Sequence, residues 1–73
     1  MSTAEQLIEI RQLVESNGYL PYSNKALRLF VLAEGKRGID QGEVEKLKLL
    51  FQDAGYLPFS RALELLELVA RPE

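Results

Sequence analysis

Apolar residues recur along the chain at the three- and four-residue spacing of amphipathic helices, in four stretches separated by turn residues. In the first, about residues 3–16, Leu7, Ile10, Leu13 and Val14 share one face. Ser2 with Glu5, or Thr3 with Gln6, forms a capping box at its start. Asn17-Gly18 ends it, because both residues tolerate the left-handed backbone that closes a helix. The second stretch, about residues 22–34, stops at Gly35. The third begins at Asp40, with Glu43 in its first turn, carries Val44, Leu47, Leu50 and Phe51, and stops at Gly55. The fourth covers about residues 59–70 and stops before Pro72.

The pattern is written twice. Leu7, Ile10, Leu13, Val14 and Gly18 correspond to Val44, Leu47, Leu50, Phe51 and Gly55. Past a one-residue deletion, Ala26, Leu27, Leu29, Phe30, Leu32 and Ala33 correspond to Ala62, Leu63, Leu65, Leu66, Leu68 and Val69. Between the helices of each half stands nearly the same turn, GYLPYS and then GYLPFS. The reading is an all-α fold: four helices as two tandem helix-elbow-helix hairpins, about residues 3–35 and 40–71, in one domain covering 1–73. A pseudo-twofold axis relates the hairpins, and two copies are too few for a solenoid.

Each elbow has its own logic. Gly18 or Gly55 closes a helix, and Pro21 or Pro58 keeps Leu20 or Leu57 extended. Ser23 or Ser60 caps the next helix, with Tyr22 or Phe59 before it as a hydrophobic staple. Tyr19-Leu20 and Tyr56-Leu57 are then short extended pieces that turn their apolar side chains inward and pair antiparallel across the pseudo-axis. On this reading Tyr19 and Tyr56 are buried anchors with a wetted tip. Near-identical halves allow either an intrachain bundle or a swapped dimer, and the short Gly35–Gly38 connection favours the first.

A glycine followed two places later by an aliphatic residue, between two helices and repeated in the second half, is similar to a paired EF-hand. The likeness covers both loops and most of the chain. In that alignment Leu13 and Leu50 stand at the first ligand position, with Glu15 and Asn17, or Gln52 and Ala54, at intermediate ones. Asn24 and Arg61 stand at the last, where calcium requires a bidentate glutamate. The resemblance therefore implies the topology of such a pair without its calcium.

Composition narrows the chemistry. With no cysteine and no histidine, the chain lacks disulfides, a thiolate nucleophile, the usual neutral-pH base and the commonest zinc ligands. No metal or cofactor is expected. The carboxylate pairs Glu5/Glu9, Glu43/Glu45 and Glu64/Glu67 read as solvated helix faces, so the chain is read as not an enzyme, with no catalytic residue to name. Apolar residues make up 47% of the chain, mostly helix-favouring leucine, and the net charge of −2 argues against general binding to polyanions. No apolar run is long enough for a membrane span, and the N-terminus lacks a signal-peptide pattern, so a cytoplasmic location is expected.

Two binding readings remain. In the first, the partner is another protein or a second copy in a homodimer. Leu32 and Leu68, equivalent under the repeat, fall between charged residues on the outer faces of the second and fourth helices. Ile8 and Leu49 are outliers on the first and third, and Leu29 and Leu65 stand at the edge of the patch. The alternative for these leucines is that the second and fourth helices lie at the centre, covered nearly all round. In the second reading, Lys25, Arg28, Lys36, Arg37, Lys46 and Lys48 form a basic central segment that touches nucleic-acid phosphates in helix-turn-helix manner. The leucine-rich helices there offer few side chains fit to read bases, and the Gly35–Gly38 linker is more simply a solvated turn.

Overall fold

The computed structural model describes residues 2–71 and is predominantly helical. Its elements run α1 (Thr3–Asn17), β1 (Tyr19–Pro21), α2 (Asn24–Ala33), α3 (Gln41–Ala54), β2 (Tyr56–Pro58) and α4 (Phe59–Ala70). The expectation that Pro72 stops the last helix lies outside the described residues. Ser2 opens α1, its hydroxyl accepting from the Glu5 N–H at 3.2 Å. Asp40 opens α3 by accepting from the N–H groups of Gly42 and Glu43 at 2.9 and 3.3 Å. Gly18 and Gly55 close α1 and α3 in the left-handed region, at φ 78° and 80°. Their N–H groups return to Val14 and Phe51 carbonyls at 2.8 and 2.9 Å.

The starts of α2 and α4 differ. Ser23 is extended and its hydroxyl accepts from Ala26 N–H at 3.1 Å, so α2 begins at Asn24 and leaves Tyr22 outside. Ser60 does not play the expected role: α4 begins at Phe59, directly after Pro58, with no side-chain cap. Ser60 stands two residues before the buried Ala62, whereas Ser23 stands three before Ala26, and this shorter spacing goes with a helix that starts at the proline and takes Ser60 into its first turn. Ser23→Ala is therefore expected to cost about 1 kcal/mol, and Ser60→Ala less than about 0.5 kcal/mol. Urea denaturation of the two variants measures the difference.

The elbows meet as a two-stranded antiparallel ribbon in which Tyr19 faces Pro58, Leu20 faces Leu57 and Pro21 faces Tyr56. Tyr22 N–H donates to the Gly55 carbonyl at 3.2 Å. Because hydrogen-bonded and non-hydrogen-bonded pairs alternate, Leu20/Leu57 is the hydrogen-bonded pair, and both prolines occupy non-hydrogen-bonded positions. The N–H that proline lacks is thus one the ladder does not use. Leu20 and Leu57 share the inner face and are fully buried.

One hydrophobic cluster spans both hairpins. Most of its members fall at matched positions: Ile10, Val14, Leu20, Ala26, Leu29, Phe30 and Ala33 in the first hairpin, and Leu47, Phe51, Leu57, Ala62, Leu65, Leu66 and Val69 in the second. Val44, whose counterpart Leu7 is only partly buried, and Ile39 of the linker complete it. Phe30 and Phe51 stack with ring centroids 5.2 Å apart, joining α2 to α3. Helix α4 packs against α1, α2 and both strands, which explains why its leucines are covered on several sides.

The linker is anchored rather than fully solvated. Ile39 is buried, and Lys36 is half-buried, its ammonium donating to the Val69 carbonyl in the last turn of α4. Gln41 Nε2 donates to the Ala33 carbonyl at 3.1 Å, at the end of α2. Helix ends leave carbonyls without intrahelical partners. Lys36 of the linker supplies a donor to Val69, and Gln41 at the start of α3 adds a second donor at Ala33, which also accepts from Lys36 N–H at 3.3 Å.

Candidate interaction surface

Alternation along an extended chain puts neighbours on opposite faces. With Leu20 and Leu57 turned inward, Tyr19, Pro21, Tyr56 and Pro58 share the outer face of the ribbon. Tyr19 is 41% exposed and Tyr56 44% exposed, which corrects the expectation that they are buried anchors. Their rings meet edge to face with centroids 5.6 Å apart. Tyr22, 48% exposed, continues this surface and lies 4.9 Å from the buried Phe51 ring, while Phe59, 42% exposed, follows Pro58 directly. An open groove of about 610 Å³ is lined by Tyr19, Pro21, Tyr22, Gly55 and Tyr56. Every lining residue is uncharged.

The residues expected to form a leucine patch separate. Leu29 and Leu65 are completely buried and cannot edge a surface, because α2 and α4 turn that stripe into the shared core. Leu32 and Leu68 are half-buried and packed against that core. Ile8 and Leu49 are exposed, at 57% and 56%, on helices α1 and α3 that have different packing partners. Helices α2 and α4 thus bury the stripe that holds Leu29 and Leu65, while their outer faces stay open, with Val31 62% exposed on α2.

The basic segment is partly committed to internal contacts. Lys25 pairs with Glu9 at 3.2 Å, Lys48 with Glu34 at 3.0 Å, and Lys36 holds the end of α4. Arg28 lines a separate groove with Gln6, Glu9, Ile10, Asn24 and Lys25. Arg37 and Lys46 are exposed. The hydrogen bond from Lys48 to Glu34, and then the charge of Glu34, raise the Lys48 pKa above its ordinary value. A raised pKa on a cation means that its contribution, small for so exposed a pair, is present through the neutral range and fades as pH rises through that value. Among the carboxylates expected on solvated faces, Glu9 faces Lys25, and Glu64 accepts from Arg61 at 3.2 Å.

Comparison with protein-family models, curated proteins and solved structures finds no match.

The surface must therefore be read from its chemistry. Among the described residues no group of three acidic side chains is placed to hold a metal ion, and no helix is long and apolar enough to cross a membrane. What the elbows present is aromatic area, three phenol hydroxyls and open floor at Gly55, where an added Cβ meets nothing within 4 Å. Such a face supports contact with another molecule through stacking and hydrogen bonding to acceptors.

Proposed function

We propose that the chain is a small, non-catalytic, cytoplasmic interaction module with a regulatory role, whose contact surface is the outer face of the elbow ribbon. The observation that carries this reading is the clustering of Tyr19, Tyr22 and Tyr56, each more than two-fifths exposed, around one groove at the ribbon. Exposed aromatic area concentrated in this way is uncommon on a monomer unless it is used. The same motif supplies both functions, with leucines holding the core and tyrosines facing outward.

We further infer that the two hairpins are copies of one ancestral unit, packed about a pseudo-twofold axis in the topology of an EF-hand pair without its calcium. The matched burial of the two halves and the pairing of Leu20 with its counterpart Leu57 support this origin. The partner is another protein, with self-association through the exposed Ile8 and Leu49 as the rival arrangement.

Affinity capture from the native host tests the proposal, using wild type, Tyr19→Ser/Tyr56→Ser and Ile8→Glu/Leu49→Glu. The ribbon variant is expected to lose its captured protein while the second variant retains it. Retention by the ribbon variant and loss by the other would contradict the proposal. Sedimentation over a concentration range is expected to find wild type monomeric.

A further inference from the structure

We infer that the occupant of the elbow groove is an uncharged, proline-rich segment in the polyproline II conformation; this rests on the ribbon being the working surface. Area argues first. On typical aromatic areas, exposures of 41% to 48% at Tyr19, Tyr22 and Tyr56, the aromatic residues that line the groove, amount to roughly 200–330 Å². A stable interface between folded proteins takes about 800 Å² from each partner. The ribbon is therefore too small for a second copy or a globular domain and matches a short peptide.

Charge argues next. Among the described residues no lysine, arginine or carboxylate lines the groove, and Lys48, which lies near Tyr22, is paired with Glu34, so little there rewards a charged peptide or a phosphate backbone. Hydrogen bonding then selects the conformation. Tyr19, Tyr22 and Tyr56 line the groove, and each carries a hydroxyl donor. A peptide helix has already used most of its carbonyls internally, whereas polyproline II has no internal hydrogen bonds and leaves every carbonyl available. A proline-rich segment also arrives with its conformation largely set, so docking it on a small aromatic surface costs little ordering entropy. A strand added to the ribbon's free edge is disfavoured, because Pro21 and Pro58 offer no N–H to pair with it.

The test is a ¹⁵N chemical-shift titration of the full chain with a capped, uncharged peptide of alternating Pro-Pro-Leu units. A glycine-serine peptide of equal length and oligothymidine serve as comparisons. Saturable shifts are expected at Tyr19, Tyr22, Gly55 and Tyr56 with the proline peptide alone. Tyr19→Phe/Tyr56→Phe keeps the rings and is expected to bind about two- to tenfold more weakly per lost hydroxyl contact. The Tyr19→Ser/Tyr56→Ser variant is expected to show no saturation, with an otherwise unchanged spectrum that establishes folding. Absence of saturable shifts with the proline peptide, equal shifts with the glycine-serine peptide, or saturation by oligothymidine at these residues would each overturn the inference. If the proline peptide fails while the serine variant still loses its captured host protein, the inference falls and the wider reading stands. If that variant captures as wild type does, the wider reading falls as well.

Discussion

Phe51→Ala removes about 3–5 kcal/mol of folding stability, measured by urea denaturation. The side chain is completely buried, and its ring meets Phe30 at 5.2 Å and Tyr22 at 4.9 Å. Truncation thus leaves a void shared by α3, α2 and the first elbow, and no neighbouring element can close all three sides at once. A chain of 73 residues has a total stability on the order of 4–11 kcal/mol, so the loss takes a large fraction of it. A loss under about 1 kcal/mol would mean that Phe51 does not join these elements. Val14, the counterpart of Phe51 in the first hairpin, is also fully buried but smaller, and its truncation leaves a smaller void.

Leu65→Glu and Leu49→Glu introduce the same charge with opposite expected outcomes. Leu65 has no exposed surface, and an unpaired carboxylate there costs several kcal/mol or forces the helix out of the core. Leu49 is 56% exposed, and its replacement is expected to change stability by no more than about 0.5 kcal/mol. Circular dichroism with thermal melting separates the two. A folded, cooperative Leu65→Glu protein, or an unfolded Leu49→Glu protein, would contradict the placement of α4 at the centre of the packing.

Much of this architecture is legible in the residues. Glycine at Gly18 and Gly55, serine at Ser2 and Ser23, and aspartate at Asp40 announce helix ends through chemistry local to each position. The matched apolar positions place most of the core in the same way. What local chemistry does not reveal is which helix is surrounded. Leu29 and Leu65 lie on stripes that an isolated amphipathic helix would leave at its margin, and only the packing of α4 against α1, α2 and the ribbon encloses them. Lys36 has the same lesson: its place in a glycine-flanked turn suggests solvent, yet it reaches the Val69 carbonyl, far from it in sequence.

The surface was available in the residues by another route. Tyr19-Leu20-Pro21 and Tyr56-Leu57-Pro58 are extended, and extended neighbours point to opposite faces. Once Leu20 and Leu57 are assigned inward, both tyrosines must face outward, so treating Tyr-Leu as one inward-facing unit breaks the period of a strand. The basic segment fails for a different reason. Its lysines are close in sequence, but Glu9, Glu34 and the end of α4 claim three of them once the chain is folded.

The claim on which the surface and its proposed ligand both depend is the register of the ribbon. Non-hydrogen-bonded antiparallel pairs bring their Cα atoms to about 4.5 Å, against about 5.5 Å in hydrogen-bonded pairs. Cross-strand Hα–Hα nuclear Overhauser effects read this difference directly. Strong effects are expected between Tyr19 and Pro58 and between Pro21 and Tyr56, with none of comparable strength between Leu20 and Leu57. A strong Leu20–Leu57 effect, or pairing displaced by one residue, would turn the tyrosines toward the core and contradict the account.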